Sequence, residues 1–431
     1  MNETRASERN QAASARRPDY RPRFTTVAHP PQHPPLRLDR DFSNERFLQE
    51  AKALFPTLQA LRRHFHQYPE LAMEERETAR HICQTLKQWG ISHRIVAPYG
   101  VVAEIQGRAA GKTVALRADM DALPLQELAE PAYKSLSDGC MHACGHDAHM
   151  AMLLGAAKLL SAHRDSFSGT VKLLFQEGEE IGAGALQMLE AGVLQDCSAI
   201  FGLHQSASYP TGQILVREKH FSAANVIFTV KLKGKGSHGS MPHQSVDPVL
   251  AAAALVQALQ QIVSRELDPS ESAVLSVGYI KSDTCRCNII PEQTEIGGTI
   301  RYYHSHLAQT IEAAFRRMVE AVAKAYRVEP DIFYVNACVP VYNDPALTKL
   351  AAASAGGLSP DIHVTDQIQT AAAEDYAFYQ QRLPGVFLFI GSGSEAHCQP
   401  LHSPYYDINE SSLSIGCALY AKLAVDYLNT P

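Results

Sequence analysis

The stretch Met141-His142-Ala143-Cys144-Gly145-His146-Asp147-Ala148-His149 packs a thiol, three imidazoles and a carboxylate into nine residues. The apolar run from Met150 to Leu160 follows directly and reads as a buried helix. Cys144 and His146 stand two apart, so an extended backbone sends both side chains to one face. One cation could be gripped there by thiolate and imidazole together. Asp147 is placed to cap the helix that follows. The expectation is a strand-to-helix corner that carries metal ligands on rigid elements.

Working outward, apolar runs and helical periods alternate. Phe47, Leu48, Ala51, Leu54, Phe55, Leu58 and Leu61 recur at three- and four-residue steps, which predicts a helix. A second helix is expected from Glu77 to Trp89, with Gly90 as its stop. Strand-like runs cover Val101–Ile105, Thr113–Arg117, Thr170–Phe175 and Ala199–His204, with a helix around Ala185–Leu189 between the last two. Strands and helices in this order predict an α/β fold: a mostly parallel sheet with helices on both faces. The polar loops fall at strand C-termini, where such sheets place their sites.

Near Ser222 the pattern changes. Asn225–Leu232, Ala273–Ile280 and Gln293–Tyr302 alternate like half-buried strands. Val249–Leu267 and Ala308–Tyr326 read as helices, and a short strand is expected near Asp331–Val335. That order, β-α-β-β-α-β, predicts a small open sandwich inserted as a lid. Leu347–Gly356 and Ala372–Gln380 then resume helices, Gly385–Gly391 reads as a buried strand, and Ser411–Leu428 as a closing helix. The division expected is a tail (1–40), a first part of the catalytic domain (41–220), the inserted domain (221–332) and a second catalytic part (333–431).

Composition limits the function. At 431 residues, 45% apolar and 19% charged, the chain is an ordinary globular protein of two domains. A net charge of −6 and the lack of a basic stripe argue against nucleic acid. No apolar run approaches the roughly 20 residues of a membrane span. Nine cysteines, an odd and scattered set, are not a disulfide framework and fit a reducing, cytoplasmic setting. Residues 1–40 hold eight Arg and six Pro and read as a disordered tail without a secretory apolar segment.

Two further settings carry chemistry. Glu179-Glu180 ends an apolar strand and precedes Ile181-Gly182-Ala183-Gly184. Adjacent acids are usually a solvated turn. At a frayed strand end, one carboxylate could bind metal while its neighbour faces substrate as a general base, the equipment for hydrolysing an amide. His204 follows the strand Ile200–Leu203, and His402 lies in a polar loop before the final helix; alone, each reads as structural. Cys285-Arg286-Cys287 has no nearby His, and Cys140 with Cys144 has no second pair, so neither reads as a structural zinc site.

Seven motifs occur in one order: Asp119–Pro124, Met141–Asp147, Glu179-Glu180, Gly202-Leu203-His204, Gly236-Ser237-His238 with Met241-Pro242-His243, Ala373-Glu374-Asp375-Tyr376, and Leu401-His402-Ser403-Pro404. From Phe47 to Leu428 the chain resembles the metallopeptidase-related amidohydrolases: hippurate hydrolases, auxin–amino-acid conjugate hydrolases and N-acyl-amino-acid deacylases. The resemblance implies a centre of two divalent metal ions, Zn²⁺ or Mn²⁺ first and Co²⁺ or Ni²⁺ as alternatives. Cys144 matches the shared ligand, and His146, Glu180, His204 and His402 match the others. Glu179 matches the catalytic base and acid. His238 matches a histidine that reaches from the inserted domain into a partner subunit's site and stabilises the oxyanion, which implies a homodimer. Asn288 and Arg301 match positions that hold the substrate carboxylate, and Asp119 and Asp121 match acids that support the metals.

The implied reaction is hydrolysis of an N-acyl-amino acid to a carboxylic acid and an amino acid. A dipeptidase or carboxypeptidase, or an N-acetyl-diaminopimelate deacetylase, is the alternative on the same site. A non-catalytic metal-binding protein on this fold is disfavoured, because neither Glu179 nor a ligand is missing. Two departures stand out. Glu177-Gly178 occupies a place where relatives carry Pro-Ala or Pro-Gly, and the extra acid reads as a surface feature. Gly236-Ser237-His238-Gly239-Ser240 differs from the commoner Gly-Gly-His-Ala-Ala.

Overall fold

The computed structural model of the protein describes residues 46–368 and 370–430; the Arg- and Pro-rich tail lies outside them. The first helix expected is in fact two, α1 (Arg46–Ala53) and α2 (Phe55–Gln67). Pro56 sits in the first turn of α2, where its missing N–H costs nothing, so it starts a new helix instead of extending the old one. Next is α3 (Arg76–Gln88), which stops against Gly90 at φ +66°.

The chain continues through β1 (Ser92–Val96), β2 (Gly100–Gln106), β3 (Thr113–Asp119), α4 (His146–Ala162), β4 (Thr170–Gln176), α5 (Gly184–Glu190), β5 (Ala199–Pro210), β6 (Gln213–Leu215) and β7 (Lys219–His220). It then runs through β8 (Asn225–Lys233), β9 (Ser237–His238), α6 (Pro248–Gln261), β10 (Ala273–Ser282), β11 (Ile289–Ile290), β12 (Gln293–Tyr302), α7 (Leu307–Tyr326) and β13 (Glu329–Cys338). Last come β14 (Tyr342–Asn343), α8 (Pro345–Gly356), β15 (His363–Thr365), α9 (Ala377–Gln380), β16 (Gly385–Gly393) and α10 (Ser412–Asn429).

The large sheet has the order β1-β2-β4-β3-β5-β16-β6-β15. Its middle, β4-β3-β5-β16, is parallel. Antiparallel neighbours flank it, with β2 beside β4 and β6 beside β16. Alternation along the strands divides the core. Val114, Leu116 and Ala118 of β3 and Leu173 and Phe175 of β4 pack under α1, α2, α4 and α10. Ala115 and Leu174 point the other way, against Ala185 and Met188 of α5 and Phe378 of α9. Both faces are thus covered, as the α/β reading requires.

A separate antiparallel sheet, β10-β12-β8-β13, carries α6 and α7 and has its own apolar cluster. Asp247 caps α6 by accepting hydrogen bonds from the amides of Val249 and Leu250. This is the expected β-α-β-β-α-β unit. Its first helix ends early, in a wide turn over Ile262–Glu266. No helix among the described residues is long and apolar enough to cross a membrane, and all nine cysteines are free.

Three local expectations are corrected. Ala372–Gln380 is not a helix; only Ala377–Gln380 is helical, and the residues before it form the loop that carries Glu374 and Asp375. Cys144 and His146 are not on extended backbone. Gly145 between them turns at φ +87°, and His146 already begins α4. Nor is Asp147 the cap. It lies inside α4, and its buried carboxylate receives Arg62 Nε at 2.8 Å and His66 Nδ1 at 2.7 Å.

Candidate metal centre

The organising turn is built to converge. A Cβ on Gly145 would stand 3.0 Å from the Tyr406 hydroxyl, and φ +87° is a conformation that favours glycine. The turn brings Cys144 out of the loop as α4 starts. The His402 amide donates to the Ala143 carbonyl at 2.8 Å, which pins the distant His402 loop against the same turn. His402 itself adopts φ +66°, a strained conformation for a side-chain-bearing residue. After β4, the Gly178 amide donates to Glu75 Oε1 at 2.7 Å and the Glu180 amide to Asp121 Oδ2 at 2.9 Å. These bonds set the Glu179-Glu180 corner. His204 extends from the middle of β5.

The donor atoms fall into overlapping triads, each within 4.8 Å: Cys144 with His146 and His204, Cys144 with Glu180 and His402, and His146 with Glu179 and Glu180. Cys144 Sγ is 3.4 Å from His204 Nε2, and Glu180 Oε1 is 3.5 Å from His402 Nε2. One sulfur therefore stands between two sets of donors.

Hydrogen bonds decide which ring nitrogens are available. His146 Nδ1 donates to the Asp121 carbonyl at 2.8 Å, and His204 Nδ1 to the Gln205 carbonyl at 2.6 Å. Both rings thus aim Nε2 inward, an arrangement typical of metal-ligating histidines. His149 differs. Its Nδ1 donates to Asp119 Oδ1 at 2.6 Å, and its Nε2 accepts the Gln205 amide at 2.8 Å. With both nitrogens engaged it is scaffold, although it also lies near Asp119 and His146.

The residues fit a cation. His146 Nε2, Glu180 Oε1 and Asp121 Oδ1 are buried without a hydrogen-bond partner. Burial opposes charge on His146, yet Asp119, Asp121 and Glu180 outweigh it and lift the ring to about 10. The pocket therefore calls for positive charge at Nε2. Burial and the carboxylates of Glu180, Glu179 and Asp119 push the Cys144 thiol well above its usual range. Sulfur, imidazole and carboxylate together suit Zn²⁺ and similar ions over Mg²⁺.

Glu179 is 9% exposed. Burial first, then the neighbouring Glu374, Glu180 and Asp375, raise it well above the ordinary carboxylate value. Asp119 and Asp121 both lie beside the donors, at 3.8 Å and 3.3 Å from His146 nitrogens. Among the described residues, His238, Asn288 and Arg301 make no hydrogen bond or ion pair with this cluster. His238 is exposed on the β9–β11 ribbon, where its Nδ1 accepts from the Ser240 hydroxyl at 2.8 Å. Asn288 stands next to it, its carbonyl accepting the Gly239 amide at 2.8 Å. Arg301 on β12 reaches the Ala371 carbonyl at 3.4 Å.

Sequence reasoning missed the support. Arg117 is fully buried on β3 and binds Gln176 at 2.9 Å, Asp119 at 2.7 Å, Glu374 at 3.0 Å and Asp375 at 2.8 Å. It joins the motif Glu374-Asp375 to Asp119, then through His149 to the backbone next to His204. An arginine inside an otherwise apolar strand was the available signal. Glu177, read as a surface acid, is fully buried, and both its carboxylate oxygens lack partners.

The chain as a whole is similar to known proteins. The profile of peptidase family M20/M25/M40 matches residues 115–426. The chain is 38% identical to IAA-amino acid hydrolase ILR1-like 4 of Arabidopsis thaliana over 393 residues, 89% of each chain. It is 37% identical to the N-acetylcysteine deacetylase of Bacillus subtilis (strain 168) over 382 residues, 88% of this chain and 99% of the relative. Among solved structures, the Bacillus subtilis YXEP protein, described as a dinuclear metal binding peptidase, aligns with a TM-score of 0.77 at 35% identity, over 88% of this chain and 100% of that one. The chain belongs to peptidase family M20/M25/M40 and is one of its hydrolases.

Proposed function

We propose that the protein is a metal-dependent amidohydrolase that cleaves N-acyl-amino acids to a carboxylic acid and a free amino acid. The observation that carries this reading is Cys144 standing between two triads, His146/His204 and Glu180/His402, with the Glu179 carboxylate beside them. In this reading those five residues hold two divalent cations, Zn²⁺ or Mn²⁺ ahead of Co²⁺ or Ni²⁺. The likeness to a dinuclear metal binding peptidase and to hydrolases of amino-acid conjugates supports it. Bound there, such ions supply Lewis acidity that brings a water toward a pKa of about 7 and polarises a carbonyl.

The protein's own groups do the rest. Glu179 takes the water's proton at its carboxylate and returns it to the departing amine nitrogen. Asp119 and Asp121 orient His149 and His146. His238 of one subunit faces the centre of the other in a homodimer and stabilises the oxyanion, with Asn288 and Arg301 holding the substrate carboxylate. The exposure of His238 on the β9–β11 ribbon, where it makes no bond to the donors of its own chain, supports that arrangement. The nine free thiols suit a cytoplasmic setting.

Glu179→Ala is expected to keep its metal yet lose about two to three orders of magnitude in kcat. Metal analysis beside a hippurate or N-acetyl-amino-acid assay checks this, and near-normal turnover would sink the assignment. The same panel, extended to dipeptides and N-acetyl-diaminopimelate, separates the acyl-amino-acid reading from its alternatives. Activity that survives exhaustive chelation would remove the metal from the reaction.

A further inference from the structure

In a group separate from the catalytic donors, three imidazoles and a carboxylate meet beside the four-stranded sheet. His304 and His306 lie on the turn between β12 and α7, and Glu271 on the loop before β10. His304 Nδ1 contacts one oxygen of Glu271, and His306 Nε2 stands 2.9 Å from the other. Donor atoms of the three residues lie within 4.8 Å of one another. The His304 and His306 rings are nearly parallel, 14° apart with centroids at 5.5 Å. His220 of β7 closes on the same place, its ring centroid 4.0 Å from that of His304.

The backbone holds these groups in position. The Leu307 amide donates to the His304 carbonyl at 3.0 Å, and the Glu271 amide to the Asp268 carbonyl at 2.9 Å. His220 Nδ1 donates to the Tyr303 carbonyl at 2.9 Å. That bond leaves Nε2 with its lone pair, and no hydrogen bond among the described residues occupies it. Burial and the neighbouring His304 lower the His220 pKa, which keeps the ring neutral and fit to ligate.

We propose that Glu271, His304 and His306, with His220 as a fourth donor, form a further site for a divalent transition ion of the Zn²⁺ class. Two imidazoles and one carboxylate match the ligand set of known three-ligand zinc sites, and His306 is exposed enough to admit an ion from solvent. The position gives the site a mechanical role. Glu271, His304 and His306 belong to the inserted sheet unit, whereas His220 sits on β7, which pairs with β14. Asn343 of β14 brackets Phe387 of β16, accepting its amide at 2.7 Å and donating to its carbonyl at 2.8 Å. An ion bound by all four residues ties the inserted sheet to the large one.

The test counts metal on the full chain after loading with Zn²⁺ and removal of excess. Wild-type protein is expected to carry one more ion per chain than the His304→Ala/His306→Ala double variant, or than Glu271→Gln. Neither variant alters a catalytic donor, so both keep hydrolysis near the wild-type rate. Cys144→Ala is expected to lose the catalytic ions and keep the one at the junction, which separates failure of this site from failure of the catalytic reading. Equal metal content in wild type and both junction variants overturns the proposal. If those variants fail to fold, a zinc-edge anomalous map of Zn²⁺-loaded wild-type crystals decides. A peak about 2.0–2.2 Å from the donors supports the site, and no peak there overturns it.

Discussion

Glu177 stands three residues before Glu180, buried, with both oxygens unpartnered. Burial, reinforced by Asp121, raises its pKa from 4.5 to about 7. An acid with a higher pKa folded than unfolded is protonated more tightly by the folded chain. Stability from this group is therefore present below about pH 4.5 and is lost as pH rises through about 7. Glu177→Gln removes the titration. Relative to wild type, the variant is expected to gain about 3 kcal/mol between pH 4.5 and pH 8, read from urea midpoints on metal-free protein. A parallel pH dependence in both proteins would refute the assignment. Glu75, lifted to about 8 by burial and Asp121, gives the same corner a second strained acid.

At the scale of elements, close helix packing fixes the corner that carries Cys144 and His146. Gly155 of α4 meets Leu58 of α2 and Cys417 of α10, and an added Cβ would press on both. Gly155→Leu is expected to destabilise the fold by at least about 1–3 kcal/mol through overpacking, measured by chemical denaturation, and to weaken metal binding as α4 shifts. The sequence made α4 and β12 easy to find, because a long apolar run and strict alternation are local signals. It hid the break before Phe55 within one continuous helical period. It also suggested a helix at Ala372, where the side chains of Glu374 and Asp375 instead turn inward to Arg117. The donors could be found because their motifs recur in fixed order. Their support could not: Arg62 meets Asp147 85 positions away, and Arg117 meets Asp375 258 positions away. Pairings of that length leave no trace in local periodicity.

At the scale of the whole molecule, the decisive question is which chain supplies His238. If each centre borrows the imidazole of its partner, Glu179→Ala and His238→Ala proteins are each inactive alone yet complement when mixed. Random pairing of equal amounts makes half the dimers mixed, and each mixed dimer keeps one intact centre. About one quarter of wild-type activity per chain is therefore expected after subunit exchange. Activity that never exceeds that of the separate variants after exchange would mean that no centre draws His238 from its partner.

The position of β16 bears on how the protein is made. It lies between β5 and β6 in the large sheet, although it is translated roughly 170 residues after them. Until Gly385–Gly393 leaves the ribosome, the nascent chain has a gap in mid-sheet, with two unpaired strand edges facing each other. His402 and α10 arrive later still. The large sheet must wait, incomplete, for the last tenth of the chain, so this protein is expected to lean on chaperones late in translation, and a chain cut before Gly385 to aggregate.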